Sequence, residues 1–435
     1  MRLRRHWNPS ASKNLDSLSM SPRLSAVLSL GLVIAISVIN SSRAAEQSIS
    51  QHRIGVRVVG GIGEFYDRSS GEKFVPRGNN YVRLEVQADA SGNVAHASHS
   101  TFDPGKYDAT RTQAALARMH ADGYNIVRVF LSEDSMGDAR DGLSTAYLQN
   151  VVDMLQRAKQ NNIYVLLTLQ WLPKAKYGGI LNADCCERFS FSNLNVLSSA
   201  GLKANETFFD DLIDGLIAAK APMDAIFAYE LRNELFFEEN RPPLSLSGGT
   251  VTAANGKNYN MADPAEKRRM IDENLVYWID TERAEILKKD PTTLVGVGFF
   301  RPKEPNIPRV PANDPRLVST RPAIWESHAD FIDLHAYLGV GMTLAQYVEN
   351  FRMAGTKAKP IIMGEFGAVT KSFPDAESAA RSFLDWQTES CRYGFAGWIF
   401  WTWDSAEQGR YFNALQDGGK IEKALAPSAR RDPCK

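Results

Sequence analysis

Two kinds of apolar pattern alternate along the chain from about residue 74 to residue 403. The first is a short, continuous apolar run. It occurs at Phe74–Tyr81, Asn125–Leu131, Ile163–Leu169, Ile226–Arg232, Leu294–Phe299, Phe331–Tyr337, Pro360–Phe366 and Phe395–Trp403. Such runs, apolar without alternation, read as strands covered on both faces. The second is a stripe with spacings of three and four. Tyr147, Leu148, Val151, Val152, Leu155 and Ala158 make one, and Phe208, Phe209, Leu212, Ile213, Leu216 and Ile217 another. Ile271, Leu275, Trp278 and Ile279 make a third, and Ala380, Phe383 and Leu384 part of a fourth. These read as helices with one buried face. Strand and helix in alternation imply a parallel sheet. Eight such units favour closure, so the expected fold is α/β, a single TIM-type (β/α)8 barrel. No Gly-x-Gly-x-x-Gly follows a strand, which argues against an open dinucleotide-binding sheet.

Before the barrel, Val56, Val58 and Phe65 lie near the turn residues Asp67, Ser69, Ser70 and Gly71, and Lys73–Val75 follows. An N-terminal hairpin leading into the first strand is expected. Two connections are long. Phe236–Ala262, after the fourth strand, contains Gly248-Gly249 and Asn255-Gly256 and is expected to form a small excursion over the barrel mouth. Phe300–Ala329, after the fifth, carries six Pro. Loops at the C-terminal ends of barrel strands are where such folds build their sites.

The first residues follow a different pattern. Arg2, Arg4, Arg5, Lys13 and Arg23 precede an apolar run, Leu24–Ile39, and Ser42-Arg43-Ala44 then offers small residues for cleavage. Residues 1–44 therefore read as a signal peptide, with Met20 as an alternative start of more usual proportions. A linker over 45–53 and a single domain over 54–435 are expected. The expected location is secreted or periplasmic. An N-terminal membrane anchor is the alternative, disfavoured because the run is short and interrupted by Ser and Gly. Four Cys follow, at 185, 186, 391 and 434. An exported chain permits disulfides. One or two bridges from the Cys185/Cys186 loop are expected, and not one between these two neighbours. No Cys-x-x-Cys or Cys/His cluster points to a metal, and no cofactor is expected.

Lys plus Arg equals Asp plus Glu, 50 against 50. A net charge of zero gives no electrostatic footprint for nucleic acid. A monomer without a stable protein partner is expected. The eight Trp suit stacking on sugar rings and equally suit core packing.

Two carboxylates stand out. Glu234 closes the run Ala228–Glu234, and Glu365 closes Ile361–Glu365 before Phe366-Gly367. The fourth and seventh strands lie across a barrel from one another, so their ends face each other over its mouth. Two carboxylates flanking a sugar bond are what glycoside hydrolysis uses, one as nucleophile and one as acid/base.

At this point the chain resembles glycoside hydrolase family 5, the cellulase family of clan A, over about Phe74–Trp403. Arg77-Gly78-Asn79-Asn80-Tyr81 is similar to the family's first-strand motif. The resemblance implies that Glu234 is the acid/base, Asn233 the ligand of the sugar 2-hydroxyl, and Glu365 the nucleophile. It implies that Arg128 supports Glu365, that Tyr337 of His335-Ala336-Tyr337 hydrogen-bonds it, and that Trp401 is a sugar platform. Two departures bear on substrate rather than mechanism. Leu235 stands where the family has Pro, and Gln170, followed by Trp171, where it often has His. The implied activity is retaining hydrolysis of a β-linked polysaccharide or oligosaccharide, most simply a β-1,4-glucan or β-mannan cut internally. The alternatives are an exo-acting or β-1,3-specific enzyme on the same barrel, or a barrel that binds glycans without cutting them.

Overall fold

The structure is a computed structural model that describes residues 52–88, 94–138, 142–300, 316–317, 325–339, 341–351, 353 and 358–435. The expected signal peptide and most of the expected linker lie outside them. Residues from Ser50 onward form one compact unit.

The eight apolar runs are eight parallel strands. They are Arg77–Asn80, Ile126–Leu131, Tyr164–Leu169, Ile226–Glu230, Leu294–Phe299 in two pieces, Ile332–Leu338, Ile361–Ala368 and Phe395–Phe400. The fifth strand breaks at Val297. Its first piece, Leu294–Gly296, pairs with the fourth strand, and its second, Gly298–Phe299, with the sixth. The first strand pairs with both the second and the eighth, so the sheet closes on itself as a barrel. The first run is also shorter than expected. Lys73–Phe74 belongs to the N-terminal sheet, and the barrel strand starts only after Val75-Pro76.

The predicted helical stripes lie on Thr145–Gln160, Ser199–Ala218, Pro264–Lys289 and Ala376–Ser390, and each buries its apolar face, except that Ile217 at the end of the second stripe is exposed. Their starts are written locally: Ser144, Ser198, Asp263 and Asp375 each accept a hydrogen bond from a backbone N–H of the first turn.

The N-terminal hairpin is real but longer than its turn signals suggested. Ile54–Val59 and Ile62–Asp67 pair antiparallel around Gly60-Gly61, which adopt positive φ of 59° and 81° as a tight hairpin turn requires. The expected turn at Asp67–Gly71 is the second one, leading to Lys73–Phe74. The hairpin closes one end of the barrel. Ile54 and Phe65 pack with Ile126, Leu166, Phe227, Phe331, Ile362 and Ile399, residues from the barrel strands.

Three expectations are corrected. First, the connection after the fourth strand mostly does not cover the mouth. Its hairpin, Thr250–Thr252 with Asn258–Asn260, packs on the outer helices, because Val251 and Tyr259 are apolar and find cover there. Ala254 donates to the Leu197 carbonyl and the Tyr259 hydroxyl to Glu273. Only Phe236–Glu238 stays near the strand end, with the Phe236 ring 6.1 Å from Trp171. The other long connection lies largely outside the described residues. Its Arg316–Leu317 pairs antiparallel with Phe237–Glu238. Second, strand alternation through Phe395–Trp403 puts Trp401 and Trp403 on the same side, and they do not share one. The regular strand ends at Phe400, so alternation stops there. Trp401 joins Phe130, Tyr337 and Tyr411, whereas Trp403 packs outside against Tyr124. Third, no bridge links the Cys185/Cys186 loop to the rest. Cys391 pairs with Cys434 because the C-terminal segment returns to the end of helix Ala376–Ser390, and Cys185 and Cys186 pair with each other.

Candidate active site

The site grows from one buried cation. Arg128, in the middle of the second strand, is sealed from solvent, where an unpaired charge would be very costly. Its guanidinium carries five N–H donors, and all of them are used. Nε and Nη2 donate to Glu230 Oε2 at 3.0 and 2.7 Å, and Nη2 also to Asn233 Oδ1 at 2.6 Å. Nη1 donates to Asn80 Oδ1 at 3.1 Å and to Glu365 Oε1 at 2.8 Å. One side chain thus ties together the ends of the first, fourth and seventh strands.

Glu365 is 3% exposed and, contrary to expectation, does not close the seventh strand, which continues past it to Ala368 in pairing with the sixth. Its second oxygen, Oε2, accepts from the Tyr337 hydroxyl. Burial raises Glu365 above the ordinary carboxylate value, and Glu234 adds to this. The His335 and Arg128 charges and the Tyr337 hydroxyl act in the opposite direction, favouring the ionised form.

Glu234 lies beyond the fourth strand, with its side chain 11% exposed. His335 Nδ1 is 3.0 Å from Glu234 Oε1 and 3.6 Å from Glu365 Oε2. Oxygens of the two Glu and a ring nitrogen of His335 all lie within 4.8 Å of one another. Burial works against a charged His335 ring, but Glu365, Asp333 and Glu234 together raise it to about 10. His335 is therefore a second cation facing the carboxyls.

The remaining expected residues divide. Asn233 gives its Oδ1 to Arg128, which leaves its amide nitrogen as the group able to donate to a ligand. Trp401 is 7% exposed and meets Phe130 edge-to-face at 5.7 Å, so its ring forms part of the wall beside Tyr337. Gln170 follows the last residue of the third strand, with its Oε1 buried and without a hydrogen-bond partner. Trp171 is turned toward Arg232, whose guanidinium carbon sits 3.1 Å from the ring centre. Trp171 and Gln170 are thus near the site but make no contact with Glu234 or Glu365 among the described hydrogen bonds.

Several site residues were missed in the sequence. Glu230 and Asp333 are fully buried carboxyls directly beneath the pair. A period-two reading could have found Asp333, which lies two positions before His335 on the sixth strand; Glu230 is the last residue of the fourth strand, four positions before Glu234. Charged residues inside runs covered on both faces are the signal. Asn80 stood in the first-strand motif without a role; it holds Arg128 and donates to the Gly364 carbonyl at 2.8 Å. His99 stacks on Phe130 at 3.9 Å, and burial together with Arg128 lowers it to about 3, so it stays neutral. No pattern in its polar surroundings marked it.

Solved structures give the fold an independent measure. An endo-1,4-β-mannanase from Rhizomucor miehei aligns over 87% of this chain and 99% of its own, with a TM-score of 0.58 at 15% identity. An exo-β-1,4-mannosidase from Opitutaceae bacterium strain TAV5 aligns over 86% and 62%, at 0.56 and 15%. An endo-β-1,4-mannanase from Thermotoga petrophila aligns over 83% and 77%, at 0.53 and 15%. At such identity the likeness is one of fold, and it is the TIM barrel. No curated protein sequence matches the chain. The sequence does match a family model, that of the cellulases, over residues 87–407. That stretch spans most of the barrel and both Glu234 and Glu365, and by it the chain belongs to glycosyl hydrolase family 5.

Proposed function

We propose that this glycoside hydrolase cleaves a β-mannan or β-1,4-glucan internally and with retention, using Glu365 as nucleophile and Glu234 as acid/base. The observation that carries the reading is the closeness of the two carboxyls, whose oxygens approach within 4.8 Å. Retaining enzymes hold theirs about 5–5.5 Å apart, whereas inverting enzymes need room for a water. Arg128 and Tyr337 bind one oxygen each of Glu365, so its ionised form is stabilised and its orientation fixed.

In the first step Glu365 attacks the anomeric carbon while Glu234 passes a proton to the departing glycosidic oxygen. In the second, Glu234 takes a proton from water, which displaces Glu365. The Asn233 amide nitrogen is placed to hold the sugar 2-hydroxyl, and Trp401 to stack on the ring. β-Mannan is the first substrate to try, because the similar structures named above are a mannosidase and mannanases. Export by the N-terminal segment completes the proposal: a polymer substrate is met outside the cell. No helix among the described residues is long and apolar enough to cross a membrane.

The test is reducing-sugar release from β-mannans, β-glucans and xylan by protein starting at Ala45. Loss of activity in both Glu234→Gln and Glu365→Gln is expected. Azide added to Glu234→Ala should restore turnover and yield a glycosyl azide of retained configuration. A product of inverted configuration would overturn the double-displacement reading.

A further inference from the structure

A second carboxyl pair lies under the first. Glu230 and Asp333 are both 0% exposed. Glu230 Oε2 accepts from Arg128 and, at 2.6 Å, from the Thr168 hydroxyl. Asp333 Oδ1 accepts from the Gly364 N–H at 2.7 Å. The other oxygen of each, Glu230 Oε1 and Asp333 Oδ2, has no hydrogen-bond donor. Oxygens of the two residues and a nitrogen of His335 lie within 4.8 Å of one another. The seventh strand makes room for this approach with a glycine: a Cβ at Gly364 would stand 1.9 Å from Asp333 Oδ2.

Two buried carboxylates this close repel too strongly for both to be ionised. Counting the charges around them gives the same answer. The groups facing the pair are Arg128 from the second strand, Thr168 from the third, His335 from the sixth, and Glu365 from the seventh, with Glu234 above them. Arg128 and His335 are the two cations. With Glu234 carrying the proton it donates in the proposed reaction, and Glu365 ionised as its nucleophile, one further negative charge makes the cluster neutral. Two ionised carboxylates in the lower pair would leave it a charge in excess, and none would leave it a charge short.

We propose that Glu230 and Asp333 hold one proton between them and act as a single negative charge that sets the ionisation of the site above. They are positioning residues, acting through Arg128 and His335 without reaching the substrate. The electrostatic surroundings agree on where the proton rests. Burial pushes Glu230 up to about 8, Arg128 acting against this and Asp333 with it. Asp333 stays below its ordinary value, because His335 and Arg128 outweigh its burial.

The pair's role in catalysis and the charge count rest on the reaction proposed above; the repulsion within the pair does not, and the two are tested separately. The first readout is the position, not the height, of the limbs in the pH profile of kcat/KM. Glu230→Gln leaves Asp333 ionised, and Asp333→Asn lets Glu230 ionise, so either single variant keeps one negative charge. Both should retain the limbs of the parent protein. The double variant loses that charge, which favours ionisation of the remaining carboxyls, and both limbs should move down by about one pH unit. Limbs that move in each single variant, or that stay in the double, would overturn the proposal. The second readout needs no turnover. Infrared difference spectra at neutral pH should show the C=O stretch of a protonated carboxyl in the parent and its loss in each single variant. Any other protonated carboxyl, such as buried Glu282 or the proposed acid Glu234, is common to all three and cancels. Spectra without that difference would overturn the shared proton, whatever the activity.

Discussion

Tyr337 and Glu365 come from neighbouring strands, the sixth and seventh, and meet through the phenol hydroxyl, which donates to Glu365 Oε2. Tyr337 is itself buried, and burial with the nearby Glu365 charge keeps its own proton firmly in place. The hydroxyl is therefore a fixed donor to the group proposed to attack the sugar. Removing it should cost a hydrogen bond to a charged acceptor, about 1.5–3 kcal/mol, or roughly 10- to 100-fold in kcat/KM for Tyr337→Phe. The bond favours ionised Glu365, so its loss should also move the acidic limb of the pH profile upward. An unmoved limb would show that Tyr337 shapes the pocket without acting on Glu365.

Arg128 offers a harder test of the same electrostatics. Lys has three donors on a flexible stem and cannot reproduce five planar contacts. Arg128→Lys should lower kcat/KM by about two orders of magnitude or more, since Glu365, Glu230 and Asn233 all lose their alignment. Arg128→Met should also destabilise the fold by about 3–5 kcal/mol, because buried carboxyls are left without their cation. Urea unfolding measures this, and a variant as stable as the parent would contradict the placement of the charge.

Glu282 makes a prediction about stability alone. It sits on the inner face of helix Pro264–Lys289, fully buried, with neither oxygen hydrogen-bonded. Burial, reinforced by Glu206, Glu285 and Asp210, holds its carboxyl well above the ordinary value. Its folded-state affinity for a proton thus exceeds that of the unfolded chain. The stability it contributes is full below the unfolded pKa of about 4.3 and is lost as pH rises toward the folded one, by up to about 1.4 kcal/mol per unit. Glu282→Leu should flatten the pH dependence of unfolding free energy between pH 5 and 8 and stabilise the protein at the upper end. Parallel curves for variant and parent would refute this.

The two disulfides should differ in worth. Cys391 and Cys434 are 43 residues apart, and a loop of that size corresponds to about 4 kcal/mol in the chain-entropy account. Replacing both by Ser should lower the unfolding free energy by about that amount. Cys185 and Cys186 are adjacent and close no comparable loop. Replacing them should change stability far less. Equal losses would mean that the Cys185–Cys186 segment is tied to the fold in some other way.

Much of this protein was legible without coordinates. Eight apolar runs too short for helices and too continuous for open sheets specified eight covered strands, and stripes with spacings of three and four specified the helices between them. Period and run length are local properties, set by which side chains a strand or helix must bury. The same reading singled out Glu234 and Glu365, although the strands end elsewhere: the fourth at Glu230, before Glu234, and the seventh at Ala368, after Glu365. What local pattern could not specify was anything decided by closure. The break of the fifth strand at Val297 shows only in its pairing, Leu294–Gly296 with the fourth strand and Gly298–Phe299 with the sixth. Trp403 left the side predicted for it because the strand had already ended. Cys391 found Cys434 only through the return of the C-terminus. Glu230 and Asp333, 103 positions apart, became one titrating unit because the barrel brings the fourth and sixth strands to a common interior. Sequence determines which residues must be inside; only the closed sheet determines which of them meet, and their charge states depend on those meetings.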